Sequence, residues 1–222
     1  MRIKRLNILT DDLIAQKEYY SNVLELPVHL EEDDLLVQAG KTEIIFTQAP
    51  AHWTGAYHFA FNIPENQFLQ AKGWLSKRIP LLKDVQGNDE FKSETWNSVS
   101  LYFKDAAGNI LELIARHDQK NATEIPFNSE QILQVSEIGL PSKDVISFAN
   151  ELCEKLNVSV YRQDPNENFT PIGDEDGLFI LPIENRIWIP NTGVPARMLS
   201  VEIDFEVNGK EFNLSGVPYK VI

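Results

Sequence analysis

The chain contains one cysteine, Cys153, and four histidines: His29, His52, His58 and His117. A single cysteine excludes an intrachain disulfide and any cysteine-rich zinc site. Cys153 lies in Phe148–Leu156, whose apolar residues have helical spacing, so it reads as a buried, inert thiol rather than a nucleophile. No histidine sits in a recognisable hydrolase motif, and the Walker loop, the dinucleotide-binding glycine fingerprint, HExxH and GxSxG are all missing. Nowhere is there a run of about 18 apolar residues, and Met1-Arg2-Ile3-Lys4-Arg5-Leu6 leads into polar sequence. Neither a membrane span nor a signal peptide is expected, and a cytoplasmic protein is the default. Basic residues are scarce too. The 20 Lys and Arg stand against 33 Asp and Glu in 222 residues, a formal net charge of -13. That balance argues against nucleic acid and anionic lipid as partners, because phosphates demand cations.

What is present is an apolar content of 43%, enough for a sizeable core, arranged in a pattern that recurs roughly every 55–70 residues. Each copy is a short strand, a helix, then apolar strands. Copy one begins at Ile3–Thr10. Its helix is capped by Asp11 or Asp12 and runs to about residue 23, with strands near 27–31, 35–39 and 42–47. Copy two begins at Tyr57, has a helix over about 66–77, and strands near 81–85, 98–104 and 110–115. A polar stretch over about 117–130 reads as a linker. Copy three starts near Leu133, with a helix over about 143–156 and strands near 158–163, 169–172 and 178–183. Asn208-Gly209, between 201–207 and 211–214, is a hairpin signal and reads as a worn fourth copy or an appended hairpin. Two domains are expected, 1–117 and 130–222.

Two segments carry the chemistry. Tyr57-His58-Phe59-Ala60-Phe61-Asn62-Ile63 is a strand that begins on a histidine. Tyr102–Leu113 is strand, tight turn, strand, with Glu112 inside an apolar run. An imidazole and a carboxylate on neighbouring strands form half of a divalent-metal site, or a buried polar pair that satisfies itself.

The string Glu18-Tyr19-Tyr20-Ser21-Asn22-Val23-Leu24-Glu25-Leu26 resembles the "FYxxVLGL" segment of the vicinal oxygen chelate superfamily, the glyoxalases, extradiol dioxygenases and bleomycin- or fosfomycin-resistance proteins. Asp105-Ala106-Ala107-Gly108-Asn109-Ile110-Leu111-Glu112 resembles its "DPxGNxxE" turn. The resemblance covers copies one and two and, more weakly, copy three. It implies an α+β fold of tandem βαβββ modules that form cupped mixed sheets, with a small-molecule cavity in 1–117.

In metal-bearing members the ligands come from the first and last strands of each module. That implies His58 and Glu112 as metal ligands and catalytic residues, with one divalent ion of iron, manganese, nickel or zinc, or none. Copy one departs from the pattern, since Arg5 fills its first-strand slot and Ile44, or Glu43 in a shifted register, its last. Arginine cannot ligate a cation, so an Arg5–Glu112 ion pair is the rival arrangement. Were copies two and three to pack together, Glu137, which sits in copy three where His58 sits in copy two, would complete a His58–Glu112–Glu137 triad. Arg5, Trp96, Asn97, Tyr102 and His117 are the ligand-binding candidates, although Arg116-His117-Asp118 also reads as an exposed strand end. Gly173–Gly177 reads as a hairpin turn, and Arg186–Pro190 as a cover for the second domain or a subunit contact. The implied functions are a metal-dependent lyase, isomerase or ring-cleaving dioxygenase, or a metal-free protein that sequesters a small molecule. A homodimer is in keeping with the family's habit of pairing modules.

Overall fold

Along the first strand Ile3, Leu6 and Ile8 are buried while Arg5 and Asn7 face outward, the alternation of a strand with one covered face. That strand opens the first module of a computed structural model describing residues 1–222. Module one is β1 (Arg2–Thr10), α1 (Leu13–Glu18, continued by a wider turn over Tyr19–Val23), β2 (Val28–Leu30), β3 (Asp34–Ala39) and β4 (Thr42–Gln48). Asp12 caps α1, accepting a hydrogen bond from Ala15 N at 2.8 Å. Module two is β5 (His58–Ile63), α2 (Phe68–Leu75), β6 (Phe91–Ser93), β7 (Ser98–Lys104) and β8 (Ile110–Arg116). Module three is β9 (Gln134–Gly139), α3 (Val145–Leu156), β10 (Phe169–Asp174) and β11 (Gly177–Pro182). The fourth has no helix, only β12 (Val201–Val207), β13 (Lys210–Ser215) and β14 (Lys220–Val221).

These modules form two mixed seven-stranded sheets. Sheet one runs β14-β13-β12-β1-β4-β3-β2, and sheet two runs β10-β11-β9-β5-β8-β7-β6. Module one therefore joins module four through the antiparallel pair β1–β12, and module two joins module three through β5–β9. This differs from the expected division at 117 and 130, which pairs modules one and two. The physical reason lies in the strands themselves. β5, β8, β9 and β11 are buried at every residue, so both faces and both edges must be covered, and only the centre of a sheet provides that. The inner faces of the two sheets share one core, in which Phe179 of β11 meets Phe205 of β12 edge-on at 5.0 Å.

Polar ties fix the modules to one another. Buried Asp105, in the turn before β8, accepts hydrogen bonds from Gln16 Nε2 at 2.8 Å and the Tyr20 hydroxyl at 3.2 Å, both in module one. Asn109 closes the same turn, with its Nδ2 donating to Asp105 at 2.8 Å and its Oδ1 accepting from Tyr57 N at 2.8 Å. The "DPxGNxxE"-like turn is thus a buried inter-module joint. Two expected strands are not formed. Residues 81–85 pair only through Leu82 N to Tyr102 O at 2.8 Å, because Asp84 accepts the Gln86 and Asn88 amides and folds the chain into a turn. In module three, 158–163 reduces to a single bridge between Val160 and Ile172. No helix is long and apolar enough to cross a membrane.

Gly40, in the β3–β4 turn, marks where the sheets touch. Its φ is +57°, and an added Cβ would fall 2.0 Å from Leu133 O, the acceptor of the Lys41 amide. Gly40→Ala should therefore lower unfolding stability by about 3 kcal/mol or more, combining left-handed strain with a backbone clash. Urea denaturation measures this, and a loss below about 1 kcal/mol would mean the contact between modules one and three is soft.

Candidate metal centre and small-molecule cup

The outer face of sheet two is concave around β5. In the parallel β5–β8 ladder Ala60 stands opposite Glu112, and in the antiparallel β5–β9 ladder the same Ala60 stands opposite Glu137. His58, two residues earlier on β5, shares that face. The three side chains are buried, and their donor atoms lie within 4.8 Å of one another. They sit at the floor of a cavity of about 450 Å³ that is walled by Tyr102, Phe91, Trp96, Phe169 and Trp188 among others.

The imidazole is oriented by the backbone. His58 Nδ1 lies 3.0 Å from Ile110 O. A carbonyl only accepts, so Nδ1 holds the proton and Nε2 presents its lone pair to the cup, 3.8 Å from Glu112 Oε2. Burial pushes the His58 pKa down to about 4, against the pull of the Ile110 carbonyl and with a contribution from the Arg186 charge. His58 is therefore neutral at pH 7. Glu112 is pushed up to about 8, first by burial and then by the Glu137 charge; Ser100, Arg116 and Tyr102 pull it back. Burial also raises Glu137, whereas Arg116 opposes the rise.

Arg116 is the principal residue the sequence reading misplaced. Rather than an exposed end, it is fully buried and ion-paired with Glu137; its Nε donates to Asn62 Oδ1 at 3.1 Å. Its guanidinium lies 5.5 Å from the Trp96 ring centre. Glu112, Ile114 and Arg116 alternate along β8, so a strict period of two placed Arg116 on the face of Glu112.

The other candidates divide. Trp96 and Tyr102 line the cup. Asn97 and His117 line a separate groove, where the His117 amide donates to Asn97 O at 2.9 Å and Asn97 Nδ2 to Asp118 at 2.7 Å. Arg5 is on sheet one, where its Nε donates to Glu43 at 2.9 Å, so the Arg5–Glu112 pair is not formed. The outer face of sheet one, with Arg5 also 3.8 Å from Asp204 and Lys4 3.1 Å from Glu206, neutralises itself in solvent. Arg186 and Trp188, from the long β11–β12 connection, also reach the cup.

No family profile and no curated protein sequence matches the chain. Solved structures do. A provisionally named dioxygenase from Bacillus subtilis aligns with a TM-score of 0.60 at 15% identity, over 82% of this chain and 64% of its own. This chain thus spans less than two thirds of that protein. Glyoxalase I from Zea mays aligns with a TM-score of 0.55 at 14% identity, over 96% of this chain and 87% of its own. The chain shares the fold of these glyoxalase and dioxygenase structures. At these identities the likeness concerns fold, and any chemistry must be argued from the cup.

The donor set fits a divalent cation: one neutral imidazole nitrogen and two carboxylates, converging on one point in a buried polar pocket. Without a cation the same groups impose a pH dependence. Glu112 holds its proton up to about 8 when folded, against an ordinary 4.5. His58 holds its proton only below about 4, against 6.5. Glu112 therefore makes stability fall as pH rises from about 4.5 to 8, and His58 makes it rise from about 4 to 6.5. The two slopes cancel where they overlap, which leaves a net decline from about pH 6.5 to 8. Urea midpoints of metal-free protein should show that decline, and Glu112→Gln should remove it. An identical decline in the variant would locate the titration elsewhere. Arg116→Met should cost about 3–5 kcal/mol by stranding Glu137, and adding Glu137→Gln should recover much of the loss. No recovery would mean that Arg116 acts through packing alone.

Proposed function

We propose that the cup of sheet two is the active site of a metal-dependent glyoxalase- or dioxygenase-like enzyme, with His58, Glu112 and Glu137 as the ligands of one divalent ion of iron, manganese, nickel or zinc. The observation that carries this reading is the convergence of those three donors around Ala60, with the His58 tautomer set to offer Nε2. When bound, the ion would supply Lewis acidity to adjacent oxygens of a small substrate, as in lyase, isomerase or ring-cleavage chemistry.

The chain's own groups have definable parts. Ile110 O holds the imidazole in register. Arg116, ion-paired with Glu137, opposes the upward push that burial gives that carboxyl. Glu112, near its midpoint at about 8, can give up or take a proton at its carboxylate oxygen. Trp188 and Ile189 line the cup and add apolar surface to it. Both walls come from one chain, so a second copy is not needed to complete it.

A second reading, metal-free sequestration of a small molecule, has its own support. The Arg116–Glu137 pair and a protonated Glu112 leave the floor nearly neutral with no cation. Elemental analysis separates the two, using untagged protein prepared without chelator and then reconstituted. One equivalent of metal in the wild type, with affinity lowered at least about 100-fold in His58→Ala, Glu112→Ala and Glu137→Ala, is the expected result. No metal after reconstitution would leave sequestration as the function.

A further inference from the structure

The cup's mouth is electrostatically opposite to the protein around it. In a chain of net charge -13, the charged residues reached from the cavity besides the floor carboxylates are Arg186 and Lys92, and neither makes an ion pair within the protein. Arg186 is half-buried, its guanidinium 4.9 Å from the Phe169 ring centre, and its side chain makes no hydrogen bond. A half-buried cation with five donors and no acceptor is costly unless a ligand completes it.

A second unmet donor stands nearby. Trp188 Nε1 is fully buried with no acceptor, although its ring packs 4.8 Å from that of His58. Indole nitrogen only donates, and this one is shut off from the cavity by its neighbours, so the unmet donors open to a ligand are those of Arg186. The loop that brings them is held for the purpose: Asn185 N bonds Ala196 O at 2.7 Å, Ala196 N bonds Arg186 O at 2.8 Å, and Trp188 N bonds Val194 O at 3.0 Å. Gly139 makes room beneath Trp188, since a Cβ there would fall 2.5 Å from the indole.

The remaining walls are aromatic. Trp96 stacks with Phe169 at 6.4 Å, and Tyr102 meets Phe91 edge-on at 5.1 Å. Flat walls of this kind accept a planar ring, and a cavity of about 450 Å³ suits one or two rings.

Building on the reading of this cup as a ligand site, we propose that its ligand is a small planar aromatic carboxylate. The acid group pairs with Arg186 at the mouth, and the ring lies between the aromatic walls. Arg186 selects the ligand by charge and does not take part in bond breaking. Lys92 adds an exposed positive charge that draws anions in and is screened by salt.

The test uses 2-naphthoate and 2-naphthamide, which share a shape and differ in charge, titrated calorimetrically into metal-free and metal-loaded protein. Naphthoate should bind at least about tenfold more tightly than the amide, with the ratio shrinking as salt rises. In Arg186→Gln, whose fold circular dichroism verifies, the ratio should collapse to within about threefold, while Arg186→Lys should keep part of it. Equal binding of acid and amide, an unchanged ratio in Arg186→Gln, or no binding of either probe at millimolar concentration in both metal states would overturn the proposal. Metal content measured on the same samples keeps the two readings apart. Acid preference without metal removes only the metal centre, and bound metal without acid preference removes only the ligand assignment.

Discussion

Two carboxylates on opposite sides of one strand, both facing Ala60, are the constraint on which this molecule turns. Either glutamate alone, buried on a strand, would be an ordinary penalty relieved by protonation. Together, with an imidazole beside them, they demand compensation from several directions, because burial raises the proton affinity of both and the Glu137 charge raises that of Glu112 further. Arg116 answers Glu137 from the end of β8, and the hydroxyls of Ser100 and Tyr102 answer Glu112 from β7. The methyl of Ala60 leaves the space between them open. A large residue there would fill the point on which the three donors converge. The register of β5 against both neighbours is therefore as much a part of the site as the three donor groups.

That register follows from which modules pair. With β5 between β8 and β9, the first-strand histidine and last-strand glutamate of module two meet the first-strand glutamate of module three. The same geometry on sheet one brings Arg5, Glu43 and Asp204 together, and there the charges cancel in solvent. One fold has thus been used twice, once with residues that satisfy one another and once with residues that do not. The two cups also differ in cover. The connection from β4 to β5 is short, whereas that from β11 to β12 is long enough to fold over sheet two and deliver Arg186 and Trp188.

What the sequence disclosed was what is local. The helix cap at Asp12, the hairpin at Asn208-Gly209 and the turn at Asp105–Asn109 rest on side chains bonding their near neighbours, and His58 and Glu112 stand out as polar residues in apolar strands. What it hid was pairing. Which first strand meets which depends on the edges left open by all the others, and no window of sequence contains that. Arg5 was misplaced because its position within a module is equivalent to that of His58, although its module lies in the other sheet. Arg116 was misread because two exposed residues follow it, despite its in-phase spacing with Glu112. Residues 81–85 are apolar enough for a strand, but Asp84 offers the backbone a tighter alternative.

The two states open to this floor differ by one proton, and that links its electrostatics to its chemistry. In the metal-free cluster Arg116 pairs with Glu137, and Glu112 holds a proton up to about 8. A divalent cation would bring two charges and displace that proton, and Glu112 would become a ligand beside the Arg116-paired Glu137. His58 asks for nothing in this exchange, because burial has already stripped its proton well below neutral pH. Cation and proton would therefore compete for the Glu112 carboxylate, whose midpoint, about 8, lies close to physiological pH. Arg116 weights the competition. It opposes the effect of burial on Glu137, yet it would place a fixed positive charge beside an entering ion. An arginine in that position favours a floor that holds a cation only when other oxygens help to bind it, and a substrate bearing adjacent oxygens is the kind of ligand that would supply them.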